Sequence, residues 1–315
     1  MKKQLLWIPA AIILIGSTLG LYLLNQSKEL ATGYVPTPSN PVALAIHPDR
    51  PLPYLITADG QLLEADANQR WQAIGPDAKV DDVLYESTGH LWATTDAGLF
   101  LKQGDTWQLI DSTPGHALES THGYLFSIGS DAIVRLTESK DLRLDSLRTL
   151  NLPGTPATDL VMLGSHTHIL HTGEQVFHTM DVGLSWNPIN APEPIRSIWT
   201  DADGNLIAAT DKAILRWSVN QWSTFLPLPE GQPITMMRVF DNRIYVLAGS
   251  ILYEQDGLSW RKTELPDSQN AIFTALEFEY PDTLWLLDSP GKKLYSTTDG
   301  QNWSITTIQF EPSTA

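Results

Sequence analysis

The sequence predicts an all-β protein in which seven units, each a four-stranded antiparallel sheet, close into a ring. The first observation behind this prediction is a tryptophan at the start of the last strand in six of the seven units. These residues are Trp71, Trp107, Trp186, Trp222, Trp260 and Trp303. Successive gaps are 36, 79, 36, 38 and 43 residues, and the gap of 79 spans two periods with one tryptophan missing. Such a period indicates a repeat architecture of seven units.

The second observation is the content of one unit, which has four short β-forming runs separated by turn residues. The clearest copy has runs at Val83–Glu86, Leu91–Thr95, Leu99–Lys102 and Trp107–Ile110, with glycine and aspartate in the turns between them. Short apolar or alternating runs with this punctuation are typical of antiparallel strands. The pattern therefore predicts a seven-bladed β-propeller, a ring that leaves only short sheet edges exposed.

A β-sandwich is the alternative all-β architecture, but it gives no reason for one tryptophan at one strand position at nearly constant spacing. The predicted propeller covers residues 42–311, with blades at about residues 42–78, 79–115, 116–153, 154–193, 194–231, 232–267 and 268–311. The first unit supplies all four of its own strands, so no clear strand exchange closes the ring. Residues 31–37 are a segment that could supply such a closing strand.

Residues 1–24 are predicted to form one N-terminal transmembrane helix. Two lysines precede an uncharged, mostly apolar run of twenty residues, Leu5–Leu24, which at about 1.5 Å per residue spans a hydrocarbon core of about 30 Å. The alternative is a cleaved signal peptide with a small-residue site at Thr18–Gly20. Either interpretation leaves the globular part on the periplasmic or extracellular side of the cell membrane. Residues 25–41, rich in proline and small polar residues, are predicted to be a linker.

The charge balance and the lack of cysteine exclude several classes of function. The chain has 36 acidic and 20 basic residues, a net charge of −16, which repels nucleic acid and leaves cationic partners open. The absence of cysteine excludes disulfide frameworks, thiolate catalysis and cysteine-ligated metal sites. The sequence contains no phosphate-binding loop or catalytic triad spacing, so no cofactor is expected.

The turn at Thr179–Trp186 has the pattern hydroxyl-x-Asp-x-Gly-x-hydroxyl-Trp. In such a hairpin turn, the hydroxyl and the carboxylate cap free backbone N–H groups, glycine takes a positive φ, and the indole packs beside the strands. The stretch Thr297–Trp303 repeats the pattern with one residue deleted. The predicted structural residues of the two turns are Thr179, Asp181, Gly183, Trp186, Thr297, Asp299, Gly300 and Trp303.

This pattern resembles the Asp-box, or BNR repeat, on the outer hairpins of propellers such as sialidases and photosystem II assembly-factor-like proteins. In those families the box is structural, so the resemblance implies a fold more than an activity. The likeness to assembly-factor-like proteins implies a scaffold or assembly helper for membrane complexes. A second phrase, Gly-x-Leu-x-x-x-Thr at residues 89–95 and 204–210, is similar to the repeats of periplasmic sensor propellers.

The turns between second and third strands lie on the face where sialidase-like relatives keep their active site. Six of these seven turns carry a carboxylate, namely Asp59, Asp96, Asp131, Glu174, Asp211 and Asp288. We interpret them as an acidic rim that attracts a cationic segment of a protein partner or a divalent cation. The alternative is that aspartate and glycine are simply the residues that tight turns use.

A sialidase-like glycoside hydrolase is the alternative function, and it needs three arginines around a substrate carboxylate, a tyrosine with a glutamate partner and an acid/base aspartate. Arg196 and Arg238 fall in first strands, which line the channel of a propeller, and Glu277, Glu279 and Tyr280 cluster on another first strand. No third arginine is evident at a matching position. We therefore predict no catalytic residues and assign Arg196 and Arg238 to the candidate binding set.

Histidines bunch at His166, His168 and His171. In a strand the first two share a face while the third points the other way, so no metal site is expected. The sequence thus favours a membrane-anchored, extracytoplasmic propeller that binds a membrane-associated protein, with a glycan-active enzyme or a ligand-sensing ectodomain as alternatives.

Overall fold

The computed structural model describes residues 39–310 with short gaps, at 86–88, 122–123, 130–131, 138–147, 152–158, 164–167, 173–174, 182–183, 202, 219, 229–233, 242 and 280–281. Residues Ser39–Phe310 form one compact unit. The predicted anchor and nearly all of the predicted linker lie outside the described residues. Within the described residues, the structure contains no helix of the length and apolarity needed to cross a membrane.

The described strands form seven antiparallel sheets, each built from four consecutive strands. The first two sheets contain β1 (Pro41–Ala45), β2 (Tyr54–Thr57), β3 (Leu62–Ala65), β4 (Arg70–Ala73) and β5 (Val80–Tyr85), β6 (Leu91–Thr95), β7 (Gly98–Gln103), β8 (Thr106–Asp111). The third and fourth contain β9 (Ala117–Thr121), β10 (Tyr124–Ile128), β11 (Ala132–Thr137), β12 (Arg148–Asn151) and β13 (Asp159–Met162), β14 (His168–His171), β15 (Val176–Thr179), β16 (Asn187–Ile189). The fifth and sixth contain β17 (Ser197–Thr200), β18 (Leu206–Ala209), β19 (Ala213–Ser218), β20 (Gln221–Pro227) and β21 (Met236–Phe240), β22 (Arg243–Ala248), β23 (Ile251–Asp256), β24 (Ser259–Glu264). The seventh contains β25 (Phe273–Glu279), β26 (Thr283–Asp288), β27 (Lys293–Thr297) and β28 (Ser304–Thr307).

The first strands of neighbouring sheets pack against one another around the whole circle. β1 contacts β5 and β25, and β9, β13, β17 and β21 complete the series between β5 and β25. First strands therefore surround a central channel, and fourth strands lie at the outside. Second strands such as β2, β6 and β18 are wholly buried, because sheets cover both of their faces. The predicted all-β class is confirmed for the described residues, and their four-stranded sheets are consistent with the predicted propeller.

Each junction between neighbouring sheets contains its own apolar cluster in the described part of the chain. The recurrent tryptophans pack at these junctions, each on the side of the preceding sheet: Trp71 joins Trp285 and Leu287 of the seventh sheet. Two of the indoles also donate hydrogen bonds to the preceding sheet, from Trp107 Nε1 to Ile74 O at 2.6 Å and from Trp260 Nε1 to Pro227 O at 2.8 Å. The tryptophan recurs because it covers the outer end of a sheet junction.

The last described strand, β29 (Gln309–Phe310), joins the first sheet rather than the seventh. It pairs in parallel with β4, with Gln309 opposite Arg70 and Phe310 opposite Trp71. The sequence showed no such exchange, because two residues are too few to carry a strand pattern. The C-terminal end of the propeller thus closes the ring. The N-terminal segment 31–37 lies outside the described residues.

The two turns that resemble the Asp-box are capped by their aspartates. Asp181 accepts hydrogen bonds from Thr179 Oγ1 at 2.6 Å and from the Ser185 backbone N–H at 2.9 Å. In the second turn, Asp299 accepts the backbone N–H groups of Gln301 at 2.8 Å and Asn302 at 2.7 Å. In the first turn the Ser185 hydroxyl, which donates to Asp181 Oδ2 at 2.6 Å, and then the Thr179 hydroxyl lower the pKa of the Asp181 carboxyl to about 2. Gly183 lies outside the described residues, and Gly300 has a φ of 69°.

Candidate functional site

The turns between second and third strands lie on one face, together with the connectors between sheets. Four of their carboxylates share a role, since each accepts a hydrogen bond from the segment that leads into the first strand of the same sheet. Asp59 accepts Ser39 Oγ at 2.6 Å, and Asp96 accepts the Lys79 backbone N–H at 3.1 Å. These carboxylates fasten the connectors to the turns, so they stabilise the face as well as charge it.

The other two of these four carboxylates, those of Asp211 and Asp288, differ in their exposure to solvent. Asp211 is well exposed and accepts bonds from Arg196 Nε at 2.9 Å and Nη2 at 2.7 Å. The hydrogen bonds and the charge of Arg196 lower the pKa of the Asp211 carboxyl. Asp288 is 4% exposed and accepts the Ile272 backbone N–H at 3.1 Å. Of the remaining predicted rim residues, Asp131 and Glu174 lie outside the described residues.

Arg196 does not line the channel, contrary to the prediction from its sequence position. It immediately precedes β17, and its exposed side chain lies on the turn face, paired with Asp211. The reason is that Trp199 holds the position equivalent to Arg238, and Arg196 lies three residues earlier, before the strand begins. The structure therefore separates Arg196 from Arg238.

A cavity of about 570 Å³ occupies the central channel. Its polar wall comes from first strands and includes the side chains of Asp82, Glu119, Trp199, Arg238 and Glu277. These residues occupy similar positions in the first strands of their sheets, because they are about one repeat apart. The spacing is 37 residues from Asp82 to Glu119, and 39 residues from Trp199 to Arg238 and again from Arg238 to Glu277. The repeat thus converts residues far apart in sequence into one site.

Arg238 lies in the channel as predicted, and the channel holds its guanidinium from two sides. Its Nη2 and Nε atoms donate to Glu277 Oε1 at 2.7 and 3.2 Å, and Nη1 donates to Met237 O at 3.0 Å. The guanidinium carbon lies 5.1 Å from the centroid of the Trp199 ring, within the range of a cation–π interaction. The channel wall therefore contains one positively charged side chain, that of Arg238, which is already paired with Glu277.

Asp82 is a channel residue that the sequence analysis missed. Its Oδ2 accepts the backbone N–H of Leu118 in the neighbouring sheet at 2.8 Å, and its Oδ1 accepts the Val83 N–H at 2.8 Å. Burial raises the pKa of the carboxyl to about 7, with a contribution from Glu277, while the two N–H groups and Arg238 oppose the shift. The predicted strand began at Val83 and so left Asp82 out. The recurring spacing of first-strand positions would have found it.

The other residues that the sequence analysis named as candidates do not line the described part of the channel cavity. Glu279 accepts the Trp285 Nε1 hydrogen bond at 3.0 Å, and Tyr280 lies outside the described residues. His171 is buried with Nε2 3.0 Å from the Ile195 carbonyl oxygen, and His166 is outside the described residues. Among the described residues, no three potential metal-ligating side chains lie close enough to share an ion.

Comparisons with known proteins agree with this architecture. The model of the DUF6242 beta propeller domain matches residues 216–314, from β19 to beyond the last described strand. The chain is a β-propeller. No curated protein matches the sequence.

Among solved structures, the propeller is similar to that of YCF48 bound to D1 peptide, with 18% identity, a TM-score of 0.58, and 77% of this chain and 86% of that chain covered. A catalytically inactive virginiamycin B lyase from Staphylococcus aureus with quinupristin has 11% identity and a TM-score of 0.61, with 81% and 94% covered. The extracellular domain of the hybrid two-component system BT3049 from B. thetaiotaomicron has 12% identity and a TM-score of 0.61, with 86% and 46% covered. Identities this low show a shared fold alone.

Proposed function

We propose that this protein is a membrane-anchored, seven-bladed propeller that binds a segment of another protein outside the cytoplasm. Its role would be that of a scaffold or assembly factor for a membrane complex. The observation that carries the proposal is the likeness, over most of both chains, to YCF48, whose propeller has been captured with D1 peptide. A ring in which every junction is packed and the ends are joined offers a rigid platform, which keeps the entropy cost of docking low.

The charge of the turn face supports a cationic segment as the partner. Asp59, Asp96 and Asp211 are exposed on this face, while the whole chain has a net charge of −16. Complementary charge speeds encounter and disfavours acidic competitors. Such attraction is screened over about 10 Å at 0.1 M salt, so capture of the partner should weaken as salt is raised.

Affinity capture from detergent-solubilised membranes, with the full-length chain as bait, tests the proposal. The triple variant Asp59→Asn, Asp96→Asn, Asp211→Asn should recover several-fold less partner than wild type. The matched control Asp105→Asn, Asp203→Asn, Asp241→Asn changes the net charge equally, in exposed turns on the opposite face, and should capture normally. Equal recovery with both triple variants, each with a wild-type melting curve, would remove the acidic rim from the proposal.

Anchoring by residues 5–24 is tested by alkaline extraction of membranes. The full-length chain should remain in the membrane pellet, since twenty apolar residues span the bilayer. Release of the chain into the supernatant, at a mass lacking the first residues, would show a cleaved signal peptide.

A glycan-active function is a weaker candidate on the present geometry. One arginine lines the described part of the channel cavity, and it is bound to Glu277, whereas a sialidase-like site needs three. The test is hydrolysis of a fluorogenic sialoside. If the wild-type protein hydrolyses it and the Arg238→Ala variant does not, a sialidase-like function would replace the scaffold proposal.

A further inference from the structure

We propose that the face opposite the turn face rests on a phospholipid bilayer, through apolar tips on two outer turns and an arginine pair beside one of them. The outer turns are those between the third and fourth strands of each sheet. The inference rests on the proposed membrane anchor and goes beyond it, because it assigns a lipid contact to the propeller itself. The acidic rim lies on the other face and stays open to a protein partner.

The apolar tips are the side chains of Met180, Leu184 and Leu258. They are 73%, 75% and 79% exposed, more than any other large apolar side chain in the described ranges. The first two lie in the outer turn of the fourth sheet, and Leu258 lies in that of the sixth. Tight turns favour glycine and small polar residues. Folding therefore gives no reason for large apolar groups at these tips, since none of them is buried.

Other outer turns of the same chain provide the contrast. The turn of the seventh sheet, which also resembles the Asp-box, has threonine, glutamine and asparagine at positions 298, 301 and 302. The outer turns of the first and second sheets, residues 66–69 and 104–105, contain no large apolar residue. Val219 of the fifth sheet and the turn of the third sheet lie outside the described residues. The described apolar tips thus belong to two sheets that only one other sheet separates.

Hydrogen bonds within each turn hold the tips in place. Asp181 accepts the Ser185 hydroxyl at 2.6 Å, and the Ser259 hydroxyl donates to Asp256 O at 2.8 Å. A tip that is already ordered loses little conformational entropy when it inserts. Fluid lipid can surround separate projecting side chains at the boundary of headgroups and acyl chains, whereas a protein partner needs a continuous complementary surface. The shape of this face therefore favours a bilayer.

The arginine pair is the second, independent observation. Arg243 and Arg261 both donate to the Glu254 carboxylate, and their side chains are 54% and 49% exposed. Each of these bonds uses one of the five N–H donors of a guanidinium, so donors remain for phosphate oxygens. The two arginines line a cavity of about 450 Å³ together with the four residues before Leu258, which are Glu254, Gln255, Asp256 and Gly257.

The charge of this cavity fits a zwitterionic headgroup. Its lining contains two guanidiniums and two carboxylates, which match the phosphate and the ammonium of phosphatidylcholine or phosphatidylethanolamine. A strongly anionic bilayer would instead be repelled by the net charge of −16. Zwitterionic phospholipid is therefore the surface that the cavity and the tips select.

The predicted linker is long enough to permit this contact. The chain enters the propeller on the turn face, where the Ser39 hydroxyl donates to Asp59. Residues 25–38 can extend over about 50 Å, which exceeds the span of about 20 Å of a six-residue strand such as β5. An anchor in residues 5–24 therefore leaves either face able to meet the bilayer.

Single-cysteine reporters test the contact in the full-length chain, which has no cysteine of its own. Leu184→Cys and Leu258→Cys, with Gln301→Cys in the polar turn of the seventh sheet as the matched control, are each labelled with an environment-sensitive fluorophore and reconstituted into phosphatidylcholine vesicles. Brominated phosphatidylcholine should quench the two tip reporters at least about twofold, because inserted apolar groups lie at the acyl-chain boundary. The control should stay almost unquenched. Equal quenching at all three positions, or none at the tips, would overturn the proposal.

Two double variants separate the tips from exposed apolar surface in general. With the Leu184→Cys reporter in place, Met180→Ser with Leu258→Ser should reduce lipid quenching about twofold, because interfacial binding scales with the apolar area inserted. The control, Leu109→Ser with Ile305→Ser, removes exposed apolar side chains from outer strands and should leave quenching unchanged. Melting curves establish that both double variants are folded. The same loss of quenching in both would contradict the assignment to the tips.

The arginine pair and the lipid charge are tested with the Leu258→Cys reporter. Arg261→Gln should reduce its quenching about twofold, since one guanidinium for the phosphate is lost. Arg70→Gln, which breaks an ion pair with Asp66 at the outer turn of the first sheet, should have no effect. An unchanged signal in Arg261→Gln would remove the arginine pair from the site. Stronger quenching in vesicles that contain phosphatidylglycerol would contradict a zwitterionic headgroup.

A protein partner on this face would give a different result. The tip reporters would be protected from aqueous iodide in native membranes, yet brominated lipid would not quench them in vesicles. That outcome would replace the lipid contact with a protein interface.

The lipid contact and the anchor fail separately. Unquenched tips in a chain that resists alkaline extraction would remove the contact and leave the anchor. Quenched tips in a chain that alkali releases would remove the anchor and leave the propeller as a peripheral membrane-binding domain.

Discussion

Burial raises the pKa of the Asp82 carboxyl from its ordinary value of 3.8 to about 7. At pH values between these two, the folded protein keeps a proton that the unfolded chain has already lost. The unfolded state therefore binds fewer protons, and the contribution of Asp82 to stability falls as pH rises from about 4 to 7. Asp82 is thus a residue that costs stability at neutral and alkaline pH.

Asp82→Asn should reduce the loss of stability between pH 5 and pH 8. A shift from 3.8 to about 7 corresponds to at most about 4 kcal/mol, at 1.36 kcal/mol per pKa unit. The measurement is urea unfolding of both proteins at the two pH values. The variant should gain free energy of unfolding relative to wild type at pH 8. A constant difference between the two proteins across this range would contradict the raised pKa.

At the scale of the element, the closing strand β29 connects the end of the described chain to the first sheet. Phe310 packs against the cluster formed by Trp71, Trp285 and Ile308, which joins the first and seventh sheets. Lys292 Nζ also lies 4.9 Å from the centroid of its ring. Two residues of parallel pairing and one aromatic side chain therefore add to the packing of β1 against β25 that joins the two ends of the ring.

Phe310→Ala should destabilise the propeller by about 2 kcal/mol, less than the about 3–5 kcal/mol lost when a fully buried phenylalanine is truncated, because Phe310 is half-buried. Thermal unfolding followed by circular dichroism measures the change. Ile305→Ala is the control, since Ile305 is an exposed apolar residue of the outer strand β28. A melting temperature lowered equally in both variants would show that the Phe310 contact stabilises the ring no more than an exposed side chain of an outer strand.

At the scale of the whole molecule, apolar burial is shared between sheets. Each of the seven clusters in the described residues draws side chains from two neighbouring sheets, as Leu226 and Met237 do for the fifth and sixth. A single sheet would leave these faces in water and would lose about 25 cal/mol of stabilisation for each Å² of apolar surface left exposed. Stability therefore belongs to the closed ring.

The propeller should unfold in one cooperative transition despite its size, because no sheet has a core of its own. Calorimetry provides the test, since the calorimetric and van't Hoff enthalpies should agree for a two-state transition. Two resolved transitions, or a van't Hoff enthalpy far below the calorimetric value, would show that part of the ring folds independently.

The sequence alone determined the repeat and the all-β class with its short strands, because local rules govern them. Trp71, Trp107, Trp222 and Trp260 lie in the outermost strands where the spacing placed them. Short β-forming runs between glycine and aspartate turns favour strands, and sheets with two apolar faces need neighbours.

Tertiary structure alone decided three features, because each depends on distances between residues far apart in the chain. The parallel pairing of β29 with β4 joins residues 309–310 to 70–71, and nothing local to either segment requires it. Arg196 and Arg238 look alike in sequence, yet Arg196 lies three positions before Trp199, the equivalent of Arg238, so the first is on the turn face and the second in the channel. Asp82 acquires its raised pKa from burial and from groups on other sheets, which only the closed ring brings together.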